Sequence, residues 1–381
     1  MKFNDSSEQA TWRTEVRDFL KTADAPQMPE DGGCEELPDR KDWRQKLAKR
    51  GWIAAAWPKE YGGAGLNVTD QFIMNEEFAE ARAVTMGGAG VGFLGPTLIT
   101  YGNDDQKKEH LSRILAGESQ WCQGYSEPGS GSDLASLQTR AIRDGDDFVI
   151  NGQKIWTSGA HNSDWMFMLA RTDPDAPKHR GITYLLLDMK TPGITVRPLI
   201  NMANRHGFNE VFFEDVRVPA KNVVGDVNRG WYIGATTLDF ERSSIGNSVG
   251  QRQILERYLD YVRAKQLMTP KTRTEFVDRW VEAGVAKLLS YQVISIQASG
   301  RVPNHEASIA KLYNSELGQR IARTAMTAFG LSGGLTDPKR APLSGRAAMT
   351  YMGSVASTIA GGTSEVQRNV IATRGLGLPR A

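Results

Sequence analysis

The hydrophobic positions change period twice along the chain. Up to about residue 118, apolar side chains recur three or four residues apart, as in Glu15-Val16-Arg17-Asp18-Phe19-Leu20 and Asp42-Trp43-Arg44-Gln45-Lys46-Leu47. That is the spacing of a helix with one buried face. Pro26, Pro29 and Gly32-Gly33 predict a loop between these two helices, and Trp57-Pro58 with Tyr61-Gly62-Gly63-Ala64-Gly65 a second break. A helix is predicted through Phe72, Ile73, Glu76, Phe78 and Ala79, and another from the cap Asn103-Asp104 to Ala116, stopped by Gly117.

From about 119 to 230 the runs become short and β-like: Phe148-Val149-Ile150, 154–157, 165–170, 182–187, 194–198 and Val211–Phe213, bounded by Asp-Gly, Asn-Gly and Pro-Gly turns. No helical stretch separates them, which predicts an antiparallel barrel or sandwich and not a parallel sheet. From Trp231 the helical period returns over about 231–266, 272–300 and 303–330, with Pro270 and Pro303 between, as in an antiparallel helix bundle. The expected fold class is α+β: an N-terminal helical domain over 1–118, a middle β-barrel or sandwich domain over 119–230, and a C-terminal helix bundle over 231–381.

Composition narrows the class without naming a chemistry. With 381 residues, 40% hydrophobic and 24% charged, the chain has ample material for a large core. A net charge of +2 argues for neither nucleic acid nor a membrane surface as a partner. Cys34 and Cys122 make no disulfide framework, which fits a reducing compartment. No apolar run reaches the roughly 18 residues of a membrane span, and Met1-Lys2-Phe3-Asn4-Asp5 does not read as a signal peptide. The expectation is a soluble cytoplasmic protein with no metal ligand set.

Gly124-Tyr125-Ser126-Glu127-Pro128-Gly129-Ser130-Gly131-Ser132-Asp133 is the densest candidate for chemistry. Gly129 and Gly131 leave backbone amides unshielded, and Ser126, Ser130 and Ser132 add short hydroxyls that donate and accept. The run suits a flat ligand with carbonyl and ring-nitrogen acceptors; it lacks the Lys of a P-loop. A Ser/Gly surface turn has the same composition, so the run alone leaves both readings open. Gly90-Val91-Gly92-Phe93-Leu94-Gly95 matches a dinucleotide fingerprint by letter, but the upstream Glu76–Arg82 looks helical and not strand-like. It reads as close helix packing.

Two further runs give the first its context: Asn151-Gly152-Gln153-Lys154-Ile155-Trp156-Thr157-Ser158 and Gly361-Gly362-Thr363-Ser364-Glu365-Val366-Gln367-Arg368. In this order and spacing the three resemble the acyl-CoA dehydrogenase family, from Trp57-Pro58-Lys59-Glu60-Tyr61-Gly62-Gly63 to Gly377-Leu378-Pro379-Arg380. The resemblance implies FAD as cofactor and a CoA thioester as ligand, oxidised as in β-oxidation. It places the flavin on Tyr125, Ser126, Gly131, Ser132, Trp156 and Ser158, with the turn at Thr363 and Glu365 against it. Ser132, Asp239, Arg242 and Gly362 match positions that border the acyl-CoA.

The base departs from the commonest family pattern. Many members carry a catalytic Glu where this chain has Gly361, which cannot accept a proton. A minority, resembling the isovaleryl- and long-chain enzymes, place it in Leu-Asp-x-Glu-Arg; here Leu238-Asp239-Phe240-Glu241-Arg242 fits, with Glu241 as the α-proton base. Its helical neighbours Thr237, Leu238, Ser244 and Ile245 are small or apolar, and burial among them would raise a carboxylate pKa towards the operating pH.

Two more departures concern assembly. The usual Arg-x-x-Phe-Gly after the first bundle helix is missing from Tyr261-Val262-Arg263-Ala264-Lys265-Gln266-Leu267-Met268, and the usual Gln-x-Phe-Gly-Gly is Thr327-Ala328-Phe329-Gly330-Leu331. Heteromeric members from bacterial steroid breakdown, which this chain resembles, divide the flavin site between two homologous subunits. The resemblance therefore implies an α2β2 assembly in which this chain bears the base, with an electron-transfer flavoprotein as acceptor. A flavin oxidase or monooxygenase on the same fold, and a non-catalytic subunit whose partner brings the base, stay open alternatives.

Overall fold

The computed structural model describes residues 5–27, 41–242 and 247–379, with only the backbone described for 239–242 and Asn247. Five helices come first: α1 (Ser7–Thr22), α2 (Lys41–Ala48), α3 (Val68–Glu80), α4 (Gly95–Tyr101) and α5 (Asp104–Ala116). Seven strands follow: β1 (Trp121–Gly124), β2 (Arg140–Asp144), β3 (Asp147–Lys154), β4 (Trp165–Arg171), β5 (Ile182–Asp188), β6 (Ile194–Ile200) and β7 (His206–Pro219). Then come α6 (Gly230–Arg242), α7 (Asn247–Ala264), α8 (Pro270–Ala298), α9 (His305–Phe329), α10 (Arg346–Ser357) and α11 (Ser364–Val370). Helical, β and helical stretches succeed one another as the hydrophobic period predicts. Cys34 and the predicted breakers Pro29 and Gly32-Gly33 lie outside the described residues.

The chain forms two compact units, one of Met1–Trp43, Leu66–Thr85 and Arg242–Ala381, the other of Arg44–Gly65 and Met86–Glu241. In the first, Ser6 and Gln9 cap α1 reciprocally, and the helix docks on α3 through charge as well as apolar contact. Arg13 donates to Glu76 at 2.7 Å and Glu77 at 3.0 Å, and Lys287 of α8 reaches Glu76 at 2.7 Å. Leu255, Tyr258, Phe276, Leu317, Ile321 and Ala325 fill the core between α7, α8 and α9. The helical segment predicted over 231–266 contains α6 and α7; residues 243–246 lie outside the described residues.

The second unit is built on one seven-stranded sheet in the order β1-β4-β2-β3-β7-β6, with β5 also paired to β4. The β2-β3, β3-β7, β6-β7 and β4-β5 pairs are antiparallel, as predicted, but β4 is paired in parallel with β1, Trp121 opposite Trp165, and with β2, Arg140 opposite Arg171, so the sheet is mixed. β4 is apolar on both faces, because alternate residues enter two different cores. Phe167 and Leu169 pack with Leu94, Leu98 and Leu111 from the helices, whereas Met166 and Met168 pack with Ile150 and Val211.

Two local readings change. Asn151-Gly152 is not a turn between strands: β3 runs through it with a bulge between Ile150 and Gly152. Gly152 sits at φ 149°, where a Cβ would meet Thr139 at 2.6 Å, so close approach and backbone conformation both require glycine. Residues 155–157, read as strand, leave the sheet. The fingerprint-like Gly90–Leu94 is a π turn leading into α4, and a Cβ on Gly95 would stand 1.7 Å from the Trp57 ring. Close packing explains Gly90, whose Cβ would meet Ile114 of α5 and Trp121 at 3.1 Å, and Gly95, but not Gly92, around which a Cβ would meet nothing within 4 Å. Among the described residues no helix is long and apolar enough to cross a membrane.

Candidate active site

β1 ends at Gly124 and delivers Tyr125 and Ser126 into a tight bend. Glu127 and Ser130 exchange backbone hydrogen bonds at 2.9 and 3.0 Å across Pro128-Gly129. The buried Ser130 hydroxyl lies 2.9 Å from the Asp133 carbonyl and 3.2 Å from that of Leu134, so it holds the loop together and is not a ligand donor. Ser126 is half-buried and Ser132 exposed. A Cβ on Gly129 or Gly131 would meet nothing within 4 Å, so this face has room for a ligand.

The second run comes alongside. Ile155 donates its amide to the Ser126 carbonyl at 2.9 Å. Trp156 follows at φ 59°, a conformation that bulky residues seldom adopt, and its side chain is 60% exposed. Phe208 supports the indole edge-to-face at 6.1 Å. Thr157 is buried and exchanges backbone bonds of 3.1 Å with Asn209, while Ser158 is exposed. An open aromatic face with a hydroxyl beside it thus stands next to the Tyr125-Ser126 backbone.

Glu127 and Lys154, which sequence reasoning passed over, lie beneath both runs. Lys154, 0% exposed, donates to Glu127 at 2.8 Å and to the Tyr125 carbonyl at 3.1 Å. The carboxylate also accepts from the amides of Gln138 at 2.6 Å and Thr139 at 2.9 Å. Burial pushes the Glu127 carboxyl up, but Lys154 and these two donors outweigh it and hold the group below the usual carboxylate range. Burial brings the Lys154 amine down to about 8, with Glu127 opposing. The available signal was a Glu inside the 124–133 run and a Lys inside the 151–158 run.

α6 leads towards position 241. The Thr237 hydroxyl, one turn earlier, lies 2.8 Å from that of Thr97 on α4, and Thr236 meets the Tyr101 hydroxyl at 2.9 Å. Asp239, Glu241 and Arg242 stand on the last turn of α6; their side chains are outside the described residues.

The third run belongs to the first unit. Gly361 and Gly362 take φ 65° and 86°, and Lys311 of α9 donates to the Gly362 carbonyl at 2.6 Å. The Thr363 side chain caps α11 by accepting from the Val366 amide at 3.2 Å. The helix that follows this cap, α11, is seven residues long. Glu365 is exposed, and its carboxyl is held below the usual range by its own backbone amide and the Thr363 hydroxyl.

Three family models match the chain: the acyl-CoA dehydrogenase N-terminal domain over residues 6–118, the middle domain over 122–216 and the C-terminal domain over 228–376. The chain belongs to the acyl-CoA dehydrogenase family. It is an oxidoreductase of the CH–CH class. Acyl-CoA dehydrogenase IpdE1 of Mycobacterium tuberculosis is 38% identical over 91% of this chain and 90% of its own. The solved structure titled Tcur3481-Tcur3483 steroid ACAD superposes with a TM-score of 0.85 at 31% identity, covering 100% of both chains. The ChsE4-ChsE5 complex from Mycobacterium tuberculosis does so with a TM-score of 0.84 at 35% identity, again over 100% of each.

Within this acyl-CoA dehydrogenase, the two departures from the family pattern occupy helix ends. Lys265–Met268 joins α7 to α8, with Gln266 at φ 55°. Phe329 closes α9 with its ring 5.8 Å from Tyr258 and 5.1 Å from Tyr261. Leu331, two residues on, is fully exposed where the family pattern has glycine.

Proposed function

We propose that this chain is the base-bearing subunit of an FAD-dependent acyl-CoA dehydrogenase that forms an α,β double bond in a CoA thioester. The observation that carries the reading is position 361. It is glycine at φ 65°, so the commonest place for the family's base holds no proton acceptor, and Glu241 on α6 is the remaining carboxylate in a family setting.

The residues present fit a flavin. The exposed Trp156 face, the Ser158 hydroxyl, the Tyr125-Ser126 backbone and the open side of Gly131 and Ser132 make a flat, donor-rich edge on the second unit. Tyr125, Ser126, Gly131, Ser132, Trp156, Ser158, Thr363 and Glu365 are the proposed holders. When bound, the flavin supplies the acceptor for the hydride leaving the β-carbon. Glu241 takes the α-proton, leaving that C–H electron pair to form the new bond. Ser132, Asp239, Arg242 and Gly362 border the thioester. Packing Trp156 and the ligand together keeps water from the reacting carbons.

A steroid-derived acyl group and an α2β2 assembly are the finer proposals. Two of the solved neighbours are named as pairs, ChsE4-ChsE5 and Tcur3481-Tcur3483, the latter as a steroid ACAD. An electron-transfer flavoprotein is the proposed acceptor. The same Gly361 favours one rival, a non-catalytic subunit. Glu241→Gln decides between them, because it keeps size and hydrogen bonding while removing the proton acceptor. Flavin reduction by acyl-CoA should fall about 10²–10⁴-fold with FAD content unchanged; reduction at the parent's rate would make the non-catalytic reading the better one.

A further inference from the structure

Trp156 is held in a strained conformation between two buried anchors. Before it stands Lys154, 0% exposed, and after it Thr157, 1% exposed. A positive φ on a tryptophan persists only where the surroundings over-determine it. Thr157 is fixed by Asn209 of β7. On the other side, the fixing is done by charge: the Lys154 ammonium spans from the end of β3 to the Tyr125 carbonyl and the Glu127 carboxylate.

Glu127 carries the same constraint further, into the Gln138 and Thr139 amides at the start of β2. Arg171 of β4 ties the intervening turn, donating to the Ala135 carbonyl at 2.6 Å. A core needs no ions at this point. Taking two charges out of water costs several kcal/mol per ion, and an apolar pair of similar volume often serves stability as well or better. What an apolar pair cannot do is aim at a carbonyl and two amides at once. The bonds join Tyr125 to Lys154 and Ser126 to Ile155, so each runs from the 124–133 run to the 151–158 run.

We infer that Glu127 and Lys154 are positioning residues, whose buried pair aligns the 124–132 run with 155–158 and thereby sets FAD affinity and the surroundings of the bound ring. This rests on the flavin reading above. Neither residue touches the reacting atoms in this arrangement; they act through Tyr125, Ser126 and Trp156.

The test uses the full chain together with the subunit that co-purifies with it, as parent, Lys154→Met, Glu127→Gln and the double variant Glu127→Met/Lys154→Met. Each is stripped of flavin and titrated with FAD, and amide hydrogen exchange is followed across 124–158. Each single variant should lower the thermal midpoint, since one buried charge loses its partner, and the double variant should recover it. FAD affinity should not recover. The double variant should bind FAD about 10–100-fold more weakly than the parent, the scale of losing charge-assisted hydrogen bonds. The bound flavin should have a shifted visible spectrum, and the Gln138, Thr139 and Ile155 amides should exchange faster. A double variant with the parent's FAD affinity and spectrum would reduce the pair to a structural filler and overturn the inference. If the double variant does not fold, Glu127→Gln carries the same comparison. A parent that takes up no FAD, with exchange still accelerated in the variants, would instead refute the flavin reading and the positioning role with it.

Discussion

Thr97 and Thr237 meet through their hydroxyl oxygens at 2.8 Å, both buried, and so join α4 to α6 one turn before residue 241. Each hydroxyl also lies within reach of a carbonyl four residues before it, that of Phe93 in the π turn leading into α4 at 2.8 Å and that of Ile233 on α6 at 3.0 Å. The shared bond therefore sets how α6 rotates against α4, and with it where the last turn of α6 points.

Thr237→Val should destabilise the protein by about 0.5–1.5 kcal/mol, because it removes the shared bond and leaves Thr97 with the Phe93 carbonyl alone. Thr97→Val/Thr237→Val should return close to the parent, since removing both partners leaves nothing unsatisfied. Denaturant unfolding of the four proteins in a double-mutant cycle measures the coupling. Additive losses would show that the two hydroxyls act independently.

Acid sensitivity should localise to the charged cluster on α1, α3 and α8. Burial pushes the Glu76 carboxyl up, yet the bonds from Lys287 and Arg13 outweigh it and hold it below the usual range. A carboxyl lowered on folding gives stability that is complete above its unfolded value, 4.5, and is lost as pH falls through the folded one. The unfolding midpoint should thus fall below about pH 4.5 less steeply in Glu76→Gln than in the parent. At neutral pH the variant should be about 1–3 kcal/mol less stable, since Arg13 keeps Glu77 and Asp5 as partners. Parallel pH profiles of the two proteins would exclude Glu76 as a source of the acid slope.

Position 361 offers a second place for a base, at a cost in backbone energy. Gly361 has φ 65°, where an L side chain costs roughly 1–2 kcal/mol. Gly361→Glu in the Glu241→Gln background should lower stability by about that amount and return part of the flavin reduction rate. Single-turnover reduction by acyl-CoA is the measurement. Loss of stability with no return of rate would mean that 361 and 241 do not serve one α-carbon in this chain.

Flavin retention should depend on a second subunit. The chain lacks the family's Arg-x-x-Phe-Gly, and fully exposed Leu331 stands where the pattern has glycine. Purified alone it should carry little FAD; co-expressed with its homologous partner it should carry about one FAD per heterodimer, read from the flavin spectrum and native mass. A stable, fully flavinated homotetramer would refute the divided site.

What the sequence determined by itself is what local periodicity and turn chemistry can carry. Period-3.6 runs became α3, α5, α8 and α9; short β-like runs became β4, β5 and β6; and Asn103, Gly117 and Thr363 capped where their side chains or their freedom in φ require. The 124–133 run was legible as a ligand loop from its residue types, whereas its pairing with 151–158 was implied by the family resemblance. Tertiary structure decided what depends on partners far along the chain. Gly152 is a bulge and not a turn because β3 stays paired with β7 on both sides of it, and it is glycine because Thr139 leaves no room for a Cβ. Ser130 is spent on its own loop. Glu127 and Lys154 look like solvent-facing charges in one dimension; only the folded sheet buries them against each other, 27 residues apart, where neither can remain charged without the other.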